Sequence, residues 1–188
     1  MTAAARRTHE VRLIGGQWKR SKLPVADAPG LRPTPDRVRE TLFNWLAHDL
    51  SGWRCLDAFA GSGALGFEAA SRGAAEVVLL ERDRHLVASL QASKQRLHAD
   101  GLRIESSDAM TWMARCAPAS FEMIFIDPPF DASLLAPALA LAQRLVVPQG
   151  FVYAEAGEAP PAVPGLTVHR QGRVGAVHFQ LLQRVDVV

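Results

Sequence analysis

From Gly52 onward, short apolar runs alternate with longer stretches of helical period, and this alternation constrains the fold more than any other feature of the chain. Strands are predicted over residues 53–59, 76–80, 102–106, 121–126 and 150–154, with helices over 64–72, 83–99, 110–115 and 132–145 between them. Strands joined by single helices imply right-handed crossovers, a parallel sheet and helices on both faces. The last two runs, 166–171 and 176–183, pair as a hairpin about residues 172–175 and place one antiparallel strand in the sheet. The expectation is an α/β chain with a mostly parallel seven-stranded sheet, free of internal repeats and low-complexity tracts.

Ahead of the sheet the pattern differs. Residues 1–8 read as a mobile tail. Val11, Leu13, Trp18, Leu23 and Val25 flank Gly15-Gly16 and read as a β-hairpin, followed by a Pro/Gly loop over 27–33. Thr34 looks like an N-cap with Pro35 at the first helical position, and Val38, Leu42, Trp45 and Leu46 carry that helix to about residue 48. This divides the chain into a tail (1–8), a basic extension packed on the core (9–50) and the main domain (51–188). The overall charge of +2 conceals an asymmetry, because residues 1–40 hold nine Lys/Arg against four acids. A basic segment on a mildly acidic body suits a polyanionic partner. Nothing approaches the roughly 18 consecutive apolar residues of a membrane span, and no apolar run after the N-terminal arginines suggests a secretory signal. Cys55 and Cys116 stand alone, and the six histidines show no metal spacing. A cytoplasmic, metal-free monomer with reduced thiols is expected.

The first strand of the sheet runs into Asp57-Ala58-Phe59-Ala60-Gly61-Ser62-Gly63-Ala64-Leu65-Gly66. Glycines at a strand-to-helix turn let the backbone approach a ligand, beyond the carboxyl ends of the strands where open α/β sheets bind. Gly61, Gly63 and Gly66 also match G-x-G-x-x-G, so a nicotinamide-dependent oxidoreductase competes. Asp57 argues against it. A carboxylate inside the strand repels a pyrophosphate and accepts from the ammonium of a methionine moiety. Glu81, at the end of the second strand, fits the two hydroxyls of a ribose, and Asp108, just past the third, fits an adenine amino group. Standing alone, both acids would read as helix caps.

The fourth strand leads into Asp127-Pro128-Pro129-Phe130. Two prolines fix their φ angles and donate no hydrogen bond, so the strand exit is rigid and its carbonyls are free. An exocyclic amine on a nucleobase is a poor nucleophile, since its lone pair is delocalised into the ring. Accepting its hydrogens on the Asp127 carboxylate and the Pro128 carbonyl returns electron density to nitrogen and aims the lone pair at an electrophilic methyl. Phe130 would stack on the base. A turn with Asp131 capping the next helix is the bland alternative.

These residues resemble the class I S-adenosylmethionine-dependent methyltransferases that modify amino groups of bases. Arg12-x-Ile14-x-Gly16 with Trp18-Lys19, and Arg32-Pro33-Thr34-x-x-Arg37-Val38-Arg39-Glu40-Thr41-Leu42-Phe43-Asn44-Trp45-Leu46, are similar to the bacterial 16S ribosomal RNA guanine-N2 methyltransferases of the RsmD type. The resemblance spans nearly the whole chain from about Val11 and implies a Rossmann-like methyltransferase fold. It implies S-adenosyl-L-methionine as donor, S-adenosyl-L-homocysteine as product and ribosomal RNA or an assembling small subunit as partner. By the same resemblance Asp57, Phe59, Gly61, Ser62 and Gly63 line the methionine end of the donor, with Thr34 folded across it. Glu81 and Arg82 meet the ribose and adenine edge, and Asp108 and Ala109 the adenine. Asp127, Pro128 and Phe130 hold the target amine, while Arg12, Lys19, Arg20, Lys22, Arg32 and Arg37 face RNA. Two other readings stay open: an amino methyltransferase acting on adenine N6 or cytosine N4 of DNA, and a non-catalytic RNA-binding assembly factor.

Overall fold

The computed structural model describes residues 9–25, 34–129 and 132–185. The predicted tail, the loop over 27–33, Arg32, Phe130 and Asp131 lie outside the described residues. Strands β1 (His9–Arg12) and β2 (Lys22–Val25) form the predicted antiparallel hairpin, and helix α1 (Asp36–Trp45) follows. The main domain then runs β3 (Arg54–Asp57), α2 (Ala64–Ser71), β4 (Glu76–Glu81), α3 (Arg84–Leu97), β5 (Leu102–Ser106), α4 (Ala109–Arg115), β6 (Phe121–Ile126), α5 (Ala132–Leu145), β7 (Val146–Ala156), β8 (Leu166–Val174) and β9 (Val177–Arg184). The seven strands lie in the order β5-β4-β3-β6-β7-β9-β8, with β9 antiparallel to both its neighbours. This is the class I methyltransferase fold, with the single antiparallel strand that the C-terminal hairpin pattern required.

Strand periodicity divides the core in two. Cys55, Leu79, Met123, Phe125, Tyr153 and Leu181 point to one face, where Leu42, Phe43, Phe67 and Leu90 of α1, α2 and α3 cover them. Leu56, Val78, Ile124, Val152 and Leu182 point to the other, under Met113 of α4 and Leu139, Ala142 and Leu145 of α5. Leu13, Leu23 and Val38 belong to the first cluster, so the N-terminal hairpin and α1 share the core of the sheet. Trp45 stacks on Phe179 at 5.4 Å and Trp53 on Phe151 at 6.2 Å, which makes both packing residues.

The N-terminal unit departs from expectation in two ways. Residues 13–21 form a long loop rather than a tight turn at Gly15-Gly16, and that loop is clamped onto α2. Glu68 accepts hydrogen bonds from the amides of Ile14 and Gly15, each at 2.8 Å, while Ser71 Oγ accepts from Trp18 N at 3.0 Å and donates to Gly15 O at 2.6 Å. A Cβ on Gly16, which sits at φ +74°, would fall 1.8 Å from the Ser71 carbonyl oxygen, so only glycine permits this approach. Thr34 is the second correction. Pro35 occupies the N-cap position of α1 with no side-chain cap bond, and the Thr34 hydroxyl faces carboxylates at the sheet instead. Acceptors of that strength outbid the first-turn amides for a hydroxyl proton.

Candidate active site

Parallel strands present their carboxyl ends on one rim of the sheet, and four neighbouring strands bring an acid there. Glu81 ends β4, Asp57 ends β3, Asp127 follows β6, and Glu155 lies near the end of β7. Each stands two residues beyond a member of the same core face (Leu79, Cys55, Phe125 and Tyr153), so strand periodicity puts all four on the side covered by α1 to α3. The pairing of Ile126 with Ala154 places Asp127 opposite Glu155, and that of Asp57 with Phe125 sets Asp57 beside them.

The glycine turn is held between two of these acids. Gly63 N–H donates to Ala60 O at 2.7 Å, and Gly63 takes φ +79° at the start of α2. Buried Asp57 accepts the amide of Gly66 at 2.9 Å, satisfying a donor that the first turn of a helix leaves without a partner. A Cβ on Gly66 would lie 3.1 Å from that same carboxylate oxygen and 2.9 Å from Leu79. Glu81 accepts Gly61 N–H at 3.0 Å and Asp83 N–H at 2.9 Å. Burial raises the Asp57 carboxyl to about 7, the Gly66 and Phe59 amides oppose that, and the charge of Glu81 adds to it. A cation arriving at the turn would therefore meet a carboxyl poised to ionise against it.

The donor set fits S-adenosyl-L-methionine. Phe59, Gly61 and Ser62 are half-buried around a turn whose glycines project no side chain, and Glu81 keeps a second acceptor position on each oxygen. Asp108 is exposed and caps α4 by accepting the Thr111 amide at 2.9 Å, which holds its carboxyl below the usual range. The nearby charge of exposed Arg82 acts in the same direction. Ala109 is buried in the first turn of α4.

At the other end of the rim, half-buried Asp127 and buried Glu155 share one hydroxyl. Thr34 Oγ1 lies 3.1 Å from Glu155 Oε2 and 3.4 Å from Asp127 Oδ2, and Tyr153 OH donates to Glu155 Oε2 at 2.9 Å. Burial pushes Asp127 well above the carboxylate range, and the charges of Glu155 and Asp57 push it further. Burial also raises Glu155, against the bonds from Tyr153 and Thr34. Buried Arg39 secures this corner, donating to the Thr34 carbonyl at 3.3 Å, to Arg12 O at 3.0 Å and to Asp36 at 2.5 Å, with Glu68 3.7 Å away.

The predicted RNA-facing side chains are spread more widely. Arg12, Lys19, Arg20, Lys22 and Arg37 are exposed, with Lys22 paired to Glu10 at 2.7 Å. Residues 17 and 18 bond to Ser71, which puts Lys19 and Arg20 at the C-terminal end of α2, a helix length of roughly 12 Å from the glycine turn. Arg37 lies three residues after Thr34, in the first turn of α1. Glu155, Tyr153, Arg39 and Glu68 were not anticipated. A signal existed for Glu155, an acid near the end of an apolar strand in Phe151-Val152-Tyr153-Ala154-Glu155, and for Glu68, a lone charge in Ala64-Leu65-Gly66-Phe67-Glu68-Ala69-Ala70.

Comparison with known proteins agrees with this architecture. A family model described as "Conserved hypothetical protein 95" matches residues 11–183. The ribosomal RNA small subunit methyltransferase D of Escherichia coli K12 is 43% identical over 180 residues, covering 93% of this chain and 90% of that protein. Its namesake in Haemophilus influenzae is 38% identical over 181 residues, covering 93% and 94%. The solved structure of yhhF from Escherichia coli superposes with a TM-score of 0.85 at 41% identity, covering 95% of this chain and all of that one. With the glycine turn, the acid rim and the Asp-Pro-Pro corner in place, the chain belongs to the Conserved hypothetical protein 95 family, that of the ribosomal RNA small subunit methyltransferase D proteins.

Proposed function

We propose that this chain transfers a methyl group from S-adenosyl-L-methionine to the exocyclic N2 of a guanine in 16S ribosomal RNA, on naked RNA or an assembling small subunit in the cytoplasm. One observation carries the reading: Asp127, fixed at the rigid Asp-Pro-Pro exit of β6, stands one strand away from the glycine turn that Asp57 anchors. When bound, S-adenosyl-L-methionine supplies an electrophilic methyl on a sulfonium. The chain supplies the rest. Asp57 meets the ammonium, Glu81 the ribose, and Asp108 with Ala109 the adenine edge. Asp127 and the Pro128 carbonyl accept the two N–H bonds of the target amine, which orients its lone pair and stabilises the positive charge that develops on nitrogen. Phe130 would stack on the base, and the exposed cations of the N-terminal unit would neutralise RNA phosphates. The base must leave its stack, at a cost of a few kcal/mol. No step calls for a metal, and a monomer suffices. The relatives named ribosomal RNA small subunit methyltransferase D support an acceptor in small-subunit ribosomal RNA. The choice of guanine N2 rests on the sequence resemblance.

The test is incorporation of labelled methyl from S-adenosyl-L-methionine into 16S RNA or small subunits from cells lacking the enzyme, followed by digestion to nucleosides. N2-methylguanosine is the expected product. N6-methyladenosine or N4-methylcytosine would overturn the choice of base, and absence of any methylated nucleoside would overturn the activity.

A further inference from the structure

Transfer of a methyl to a neutral amine leaves the product nitrogen with one proton too many, and Asp127 is the group placed to receive it. That carboxylate cannot stay protonated, because it must meet the next amine as an acceptor. A second carboxylate stands behind it. Register sets Glu155 opposite Asp127 on the neighbouring strand, and the buried Thr34 hydroxyl lies between them, 3.4 Å from Asp127 Oδ2 and 3.1 Å from Glu155 Oε2. A hydroxyl has one proton and two lone pairs, so it donates to one oxygen while accepting from a protonated other. We propose that Thr34 relays the product proton from Asp127 to Glu155, so that Glu155 is a positioning residue which restores Asp127 for each turnover. This inference rests on the methyl-transfer reading above.

The step balances. The N–H bond of the methylated amine breaks, its electron pair stays on nitrogen, and the proton goes to Asp127 Oδ2. Thr34 Oγ1 takes that proton as it hands its own to Glu155 Oε2. The outcome is a neutral product, an ionised Asp127, an unchanged Thr34 and a protonated Glu155, which then loses the proton to water. Tyr153 OH, 2.9 Å from the same Glu155 oxygen, stabilises the anion that must accept. Two carboxylates this close in a buried setting attract a proton more strongly than either would alone, so the pair readily takes up the product proton. Among the described residues, the other charged groups around the pair are Asp57 from β3, with Glu81 acting on it from β4, and Arg39 from α1, which reaches the Thr34 carbonyl. On the β9 side Glu155 pairs with apolar Phe179, with His178 one step further along.

Steady-state methylation measured against pH for wild type, Glu155→Gln, Thr34→Val and Thr34→Ser tests the relay, with the single-turnover rate, which does not require Asp127 to be restored, as the comparison and circular dichroism as the check on folding. Glu155→Gln should lower the plateau rate on the order of 10- to 100-fold. It should also move the acidic limb to lower pH, because Asp127 no longer faces a second negative charge. Thr34→Val should reproduce the lost rate, and Thr34→Ser, which keeps the hydroxyl, should restore it. A wild-type plateau and limb in Glu155→Gln, or a Thr34→Val protein as fast as Thr34→Ser, overturns the relay alone. A wild-type chain that methylates no nucleobase overturns the reading beneath it as well.

Discussion

At the scale of single residues, the proposed reaction depends on acids placed where charge would develop and on glycines that keep side chains out of the turn between them. Under the proposed function Asp127→Ala removes the acceptor of the reacting amine and should cut methyl transfer on the order of 10²- to 10³-fold. Cofactor affinity, measured by calorimetry, should stay near wild type, since the glycine turn is held by Asp57 and Glu81. Gly66→Ala tests that turn. Its new Cβ would press on Leu79 at 2.9 Å and on the Asp57 carboxylate at 3.1 Å. A loss of about 1–3 kcal/mol in urea unfolding is expected, with weakened cofactor binding. Strand periodicity made Asp57, Glu81 and Asp127 legible in the sequence, because an acid at a strand end beside a glycine turn has few structural excuses. Glu155 obeys the same rule yet went unread, since no motif surrounds it.

At the scale of elements, α2 is the hinge pin of the N-terminal unit. Its charge Glu68 is buried, bonded to the amides of Ile14 and Gly15, ion-paired with Arg72 at 2.8 Å and near Arg39 at 3.7 Å. Arg72 in turn lies 4.8 Å over the ring of Phe43. Removing one member of a buried network strands the others without partners. Glu68→Ala should therefore cost about 3–5 kcal/mol and accelerate amide exchange at Ile14 and Gly15, which hydrogen-exchange mass spectrometry would show. The hairpin strands themselves were readable from alternating apolar residues. Their attachment was not, because it depends on Glu68 and Ser71 reaching across more than fifty residues of chain.

At the scale of the whole molecule, the acid rim gives stability an unusual pH dependence. Asp57 is raised to about 7 in the folded state, and Asp127 and Glu155 are raised as well. Between about pH 4 and 7 the folded chain keeps on Asp57 a proton that the unfolded chain has released, so stability falls as pH rises, by roughly 1.4 kcal/mol per pH unit, and the raised Asp127 and Glu155 act in the same direction. Acids shifted downward, such as Glu122 beside Arg54, add stability as pH rises, but their influence is confined to lower pH. The urea midpoint should be higher at pH 5 than at pH 7.5, and Asp57→Asn should flatten the difference. The exposed cations make a second prediction at this scale. RNA affinity, followed by filter binding, should fall linearly with the logarithm of salt concentration, and neutralising Arg37 should reduce the slope by about one.

What the sequence determined by itself was local and periodic: alternating strands and helices, the antiparallel closing strand, the glycine turn and the Asp-Pro-Pro exit, all set by interactions a few residues apart. The tertiary structure alone decided which distant groups meet. It turned Thr34 from a helix cap into a bridge between two carboxylates, and it clamped the basic loop to the end of α2 remote from the site. Those outcomes depend on strand order and on the competition among buried polar groups for few partners, and neither is encoded in spacing along the chain.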